Sequence, residues 1–180
     1  MRGTLFLVVG PSGVGKDTLI RRAGRVRTDL AVPRRVVTRP ADAGGEVIES
    51  VSEATFDALA GQGRFLLHWR AHRFRYAIPA EAGEALCAGR DVLANVSRAV
   101  VDEARARLQP VRILAVTAAR ETLEARLVAR GREGASEIAG RLDRSGYAMP
   151  EGSDVHVIRN DGALTEALDA FLEALQPVRG

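Results

Sequence analysis

The chain has 180 residues, 46% hydrophobic and 27% charged, a globular composition with room for one well-packed domain rather than two. No apolar run approaches the ~20 residues of a membrane span. The apolar stretch Leu5 to Val9 runs into glycine-rich sequence with no signal-peptide cleavage region, so secretion is not expected. Cys87 is the only cysteine, which excludes an intramolecular disulfide and fits a reducing cytoplasm.

The formal net charge is +3, and 25 of the 26 basic residues are arginine. These arginines are interspersed with 23 acids, which predicts a salt-laced surface rather than a nucleic-acid face. Lys16 is the single lysine. In a chain that uses arginine elsewhere, an ammonium at one position marks a place where a compact point charge matters.

Short apolar runs alternate with helical patterns. Thr4 to Val9 predicts a buried strand and Lys16 to Val26 a helix. Arg35 to Thr38 predicts a short strand leading into the loop Pro40 to Gly45, and Ser52 to Ala60 a helix with Ser52 as its N-cap. Phe65 to Trp69 and Phe74 to Ile78 predict two short strands of a small substrate-side subdomain, and Pro79 opens a helix to Ala88. Further strands are expected at Asp91 to Val96, Val111 to Val116 and Val155 to Ile158. Helices are expected at Ser97 to Leu108, Arg120 to Arg130 and Glu137 to Ser145, with a closing amphipathic helix carrying Leu164, Leu168, Phe171, Leu172 and Leu175. This alternation predicts one α/β domain with a parallel sheet covered by helices on both faces.

Between the first strand and the first helix lies Gly10-Pro11-Ser12-Gly13-Val14-Gly15-Lys16-Asp17-Thr18. Through the lysine this matches the phosphate-binding loop in its required strand-loop-helix context. Glycines let successive backbone N–H groups converge on phosphate oxygens, and the helix that follows turns its positive end toward them. Lys16 would bridge the β- and γ-phosphates of ATP. The pattern places Ser or Thr directly after the lysine as a Mg²⁺ ligand, and Asp17 departs from it. Two ligands are therefore candidates: the Asp17 carboxylate, directly or through water, or the Thr18 hydroxyl.

The chain resembles the guanylate-kinase-like group of small phosphotransferases over nearly its full length. The resemblance rests on the loop, Val37-Thr38-Arg39-Pro40, Phe65-Leu66, Tyr76, Arg90-Asp91-Val92-Leu93, Arg130-Gly131 and Arg141-Leu142. It implies a three-layer α/β/α P-loop fold with an acceptor-binding subdomain over about 35–88 and an arginine-bearing lid over about 130–145. The group's guanine-reading glutamate and hydroxyl residue are replaced by Leu67 and Ile78, which would leave polar atoms of a guanine unpaired at ~1–3 kcal/mol each. Those departures resemble the ribose 1,5-bisphosphate phosphokinase branch, used in bacterial phosphonate breakdown. Its signatures appear as Gly15-Lys16-Asp17-Thr18, the string Val37 to Glu46, Asn95-Val96-Ser97-Arg98, Arg130 to Glu133, Ala135 to Ile138 and Asn160-Asp161-Gly162. Arg75 and Ala77 depart from the two aromatics and glycine expected around Tyr76.

The resemblance implies transfer of the γ-phosphoryl of ATP to the 1-phosphate of ribose 1,5-bisphosphate, with Mg²⁺. Lys16, Arg130 and Arg141 are then the catalytic candidates, the arginines as forked donors to transition-state oxygens. Glu137 and Arg141 also have the i,i+4 spacing of a simple helix pair. Arg39, Tyr76, Asn95, Ser97 and Arg98 are the acceptor-binding candidates, with Ser97 equally suited to capping a helix. Asn160 and Asp161 suit either an adenine border or a plain turn. His68 and His72, four apart on strand and turn, do not predict a metal pair. The expected partners are small molecules, with neither nucleic acid nor membrane. Two alternatives are a nucleoside monophosphate kinase of altered base preference and a non-catalytic guanylate-kinase-like binding module.

Overall fold

Five apolar residues in a row, Leu5–Val9, give a strand no polar face to turn to water, so it has to be covered on both sides. In the computed structural model, which describes residues 3–40, 48–71, 73–130 and 149–176, all five are buried. The elements run β1 (Leu5–Val9), α1 (Lys16–Val26), β2 (Val36–Val37), β3 (Glu49–Ser50), α2 (Glu53–Gly61), β4 (Phe65–Ala71), β5 (Phe74–Pro79) and α3 (Glu81–Cys87). They continue with β6 (Val92–Asn95), a 3₁₀ turn (Arg98–Val100), α4 (Val101–Arg107), β7 (Val111–Thr117), α5 (Arg120–Arg130), β8 (Val155–Arg159) and α6 (Leu164–Ala174).

The strands form two sheets. The first has the order β6-β1-β7-β8 and is parallel throughout. Its two faces carry separate apolar clusters. Phe6, Val8, Leu114 and Val116 pack with Leu19 and Ala23 of α1, Leu123 and Leu127 of α5, and Phe171 of α6. Leu5, Leu7, Val9, Ile113 and Ala115 face the other way, onto Val101 and Ala104 of α4, Leu86 of α3, and Leu67, Trp69 and Ile78 of the second sheet. That second sheet has the order β3-β2-β5-β4, with β2, β5 and β4 antiparallel.

Most predicted elements stand within a residue or two of their expected bounds, and the differences are local. Pro79 closes β5, and the helix begins at Glu81. The helix expected from Ser97 to Leu108 is split, because Ser97 Oγ accepts from Ala99 N at 3.3 Å and starts a 3₁₀ turn before α4. Ser52 caps α2 as expected, accepting from Thr55 N at 3.0 Å. The helix expected at Glu137 to Ser145 lies outside the described residues.

Arg105 of α4 grips the segment before β8 with a two-pronged bond. Its Nε and Nη2 each donate to the Asp154 carboxylate at 2.8 Å, and Nη2 also donates to Glu151 O at 2.8 Å. The Arg105 hydrogen bonds hold the Asp154 carboxyl below its ordinary range. A depressed folded pKa means that the contribution is present above the unfolded carboxyl's pKa and is lost as pH falls through the folded one. Arg105→Ala is expected to cost about 1 kcal/mol at pH 7. The gap between variant and parent should narrow as pH falls below the ordinary carboxyl range, as read by thermal unfolding from pH 7 into acid.

Candidate active site

The loop from Gly10 to Gly15 leaves the carboxyl end of β1, the end at which parallel sheets place ligands. Gly15 caps α1 with φ 98°, in the left-handed region. The Lys16 ammonium lies across the loop and donates to Gly10 O at 2.7 Å and Pro11 O at 2.9 Å. Val14 is buried beneath the loop, and Leu127 of α5 packs on Gly13 so closely that a Cβ there would meet its Cδ2 at 3.2 Å. Arg130 ends the same helix, three residues beyond Leu127.

Asn95 is the last residue of β6 and pairs in register with Val8, which sets it beside the start of the loop. Its Nδ2 donates to Asp17 Oδ1 at 2.6 Å. Asp17 is exposed in the first turn of α1, and Thr18 is half-buried next to it. Ser97 and Arg98 follow on the same edge, with Arg98 Nη1 3.9 Å from Met149 Sδ. Sequence candidates from two distant segments thus meet at one edge of the loop.

The donor set fits Mg²⁺. No group of three or more His, Cys, Asp or Glu side chains occurs among the described residues, so they hold no all-protein cage. Mg²⁺ binds through one or two carboxylates, waters and substrate phosphates, and a lone carboxylate beside a phosphate loop is that arrangement.

Arg39 and Tyr76 stand on the second sheet. Arg39 follows β2; its carbonyl accepts from Ser50 Oγ at 2.7 Å, and its Nε is buried with no hydrogen-bond partner. Tyr76 lies against Trp69 in a parallel stack, centroids 5.6 Å apart, with the Arg35 guanidinium 5.3 Å from the Tyr76 centroid. Arg75, the departure beside it, pairs with Asp57 and Glu53 of α2 and sits 4.2 Å over the Phe56 ring. Ala77 is buried against Val36 and Phe56. His68 contacts the rings of Phe56 and Phe65. Arg141, Asp42, Glu46 and His72 lie outside the described residues.

Two residues gain meaning only from the fold. Asn160, 3% exposed, donates from Nδ2 to Val14 O at 2.7 Å, while its backbone N donates to Thr117 O at 2.8 Å. It is a strut that ties β8 to the loop, not only a turn residue. A sequence signal existed in Asn160-Asp161 directly after an apolar strand, but turn chemistry accounts for it equally. Arg126 has a buried Nη1 without a hydrogen-bond partner, one residue before Leu127, which makes it a further candidate contact for a ligand acceptor. No motif points to it. Asn160→Asp keeps the size but removes the donor and sets a carboxylate against Val14 O. We expect a loss of about 1–3 kcal/mol. A raised KM for ATP should accompany it, checked by thermal unfolding and ATP titration.

A parallel sheet whose first strand runs into this lysine loop defines a P-loop nucleotide-binding domain, here of guanylate-kinase-like fold. The solved guanylate kinase from Anaplasma phagocytophilum matches 97% of this chain and 85% of its own, with TM-score 0.70 at 17% identity. No family model matches the chain. The ribose 1,5-bisphosphate phosphokinase PhnN of Ruegeria sp. (strain TM1040) is 45% identical over 168 residues, covering 93% of this chain and 88% of that one. Its counterpart in Rhizobium etli (strain CIAT 652) is 43% identical, covering 97% and 90%. The chain is a kinase and belongs to the ribose 1,5-bisphosphate phosphokinase family. No helix among the described residues is long and apolar enough to cross a membrane.

Proposed function

We propose that the chain transfers the γ-phosphoryl of ATP to the 1-phosphate of α-D-ribose 1,5-bisphosphate, giving ADP and 5-phospho-α-D-ribose 1-diphosphate. It does so as a single cytoplasmic domain serving phosphonate degradation, with the acceptor subdomain over about 35–88 and the lid over about 130–145. The observation that carries the choice of acceptor is the pair Leu67 and Ile78. They face each other in register across β4 and β5 and are each 1% exposed within the core. These are the positions at which the resemblance expects guanine-reading polar groups, and a guanine edge would find no partners there. Identity to relatives named for the ribose bisphosphate reaction supports the same acceptor.

An oxygen of the acceptor 1-phosphate attacks the γ-phosphorus. The bond from that phosphorus to the β,γ-bridging oxygen breaks, and its electron pair leaves with ADP. An ionised phosphate ester needs no strong base, so positioning and charge neutralisation carry the rate. Lys16 takes the β- and γ-phosphate oxygens, and Arg130 and Arg141 donate to the equatorial oxygens of the group in transit. Arg39 takes the acceptor phosphate; a buried Nε lacking a partner suits an anion. Asn95 and Ser97 take sugar hydroxyls, Arg98 a phosphate, and Tyr76 forms a wall. Asp17, with Thr18 as the alternative ligand, holds Mg²⁺, which neutralises charge on the nucleotide phosphates when bound.

The test is ADP release with each acceptor in turn. Ribose 1,5-bisphosphate should drive it, and GMP should be at least about 100-fold poorer, two unpaired polar groups being worth that much. Comparable turnover with GMP would contradict the reading.

A further inference from the structure

The loop and the strand beside it both depart from the usual metal arrangement, in opposite senses. P-loop enzymes hold Mg²⁺ between a Ser or Thr hydroxyl directly after the lysine and an aspartate supplied from outside the loop. Here the residue after Lys16 is Asp17, while β6, the strand beside β1, ends on Asn95. The carboxylate has changed sides. The two exchanged residues touch, Asn95 Nδ2 donating to Asp17 Oδ1 at 2.6 Å.

We infer that Asp17 and Asn95 work as an exchanged pair, in which Asn95 is a positioning residue. It holds one oxygen of Asp17 and leaves the other for the metal of the metal–nucleotide complex. The inference rests on the proposed ATP site. Its physical reason lies in what an aspartate does at this spot when nothing holds it. Asp17 is an exposed carboxylate in the first turn of α1, directly after Lys16 in sequence and near the N–H groups of the helix start. It would compete with the phosphates for both. A charge-assisted bond to a neutral amide draws it aside without removing its charge. A second aspartate at position 95 would set two like charges within hydrogen-bond distance and remove the donor that holds Asp17. Asparagine at position 95 is thus the complement of aspartate at position 17. One N–H and the carbonyl oxygen of Asn95 are left over for a sugar hydroxyl.

The test uses Mn²⁺ as probe, its electron paramagnetic resonance reporting the Mn²⁺–ATP complex on the full chain. ATP binding in EDTA serves as the metal-free reference. Asn95→Leu should weaken Mn²⁺–ATP binding about tenfold. Its ATP binding in EDTA should weaken by less than its Mn²⁺–ATP binding, because the released carboxylate competes with the phosphates in both cases while a partner behind a metal ligand acts only when metal is present. Asn95→Asp should be weaker still, and Asp17→Ser combined with Asn95→Asp should return to within a few-fold of the parent, because the usual arrangement is restored. Equal Mn²⁺–ATP binding by Asn95→Leu and the parent, with Asp17→Asn impaired, would overturn the pairing and leave the kinase reading standing. A double variant no better than Asn95→Asp would also overturn it. If the folded parent bound no ATP with or without Mn²⁺, the proposed ATP site itself would fail, and the pairing with it.

Discussion

Lys16→Met is expected to lower kcat by at least about 10²–10³-fold while leaving the fold in place. The ammonium donates to Gly10 O and Pro11 O, which holds its stem across the loop and its charge where the proposed ATP site needs it. Methionine keeps most of that stem but supplies neither donors nor charge, so the negative charge that moves toward the β,γ-bridging oxygen is left uncompensated. Loss of the two carbonyl bonds should cost the fold little, because both lie at a half-buried loop that water reaches. Steady-state kinetics beside thermal unfolding separates the two roles. A large fall in melting temperature with unchanged kcat would make Lys16 a structural clasp.

Gly10→Ala should be strongly disruptive. Gly10 has φ 148°, which L residues rarely adopt, and a Cβ there would meet the backbone oxygen of Val116 at 2.3 Å. That oxygen belongs to β7, hydrogen-bonded to β1 over Leu5 to Val9, so it has no freedom to retreat. The loop must move instead. Strain of this kind costs about 1–3 kcal/mol. For a chain of this size that is a fall of roughly 3–10 °C in melting temperature. Displacing the first residue of the phosphate loop should also abolish measurable ATP binding. Calorimetry with ATP checks both, and wild-type affinity in the variant would show that Gly10 does not set the loop.

Why some of this was legible in the sequence and some was not follows from where the information lies. Parallel strands buried on both faces must be apolar throughout, so β1, β6 and β7 read directly as runs. The phosphate loop is legible because its chemistry needs fixed residues at fixed spacing. β3 is two exposed residues, Glu49 and Ser50, made a strand only by backbone pairing with β2, and nothing local marks it. Arg75 looked like a break in an aromatic wall because its partners, Asp57 and Glu53, lie on another element. Asn160 reads as a turn residue until burial shows it bracing Val14. The contact of Asp17 with Asn95 has the same origin: both departures are visible in the sequence, but only the adjacency of β1 and β6 brings them together.

In the proposed function Leu67 and Ile78 carry the choice of acceptor, because they are buried apolar residues where the resemblance expects guanine-reading polar groups. The most direct measurement is phosphorus NMR of the full chain with Mg-ATP and ribose 1,5-bisphosphate. The expected result is loss of the sugar 1-phosphate resonance and growth of two coupled diphosphate signals on the same sugar, in step with ADP. Growth of ADP with inorganic phosphate alone, or no change with ribose 1,5-bisphosphate while GMP is converted to GDP, would contradict it.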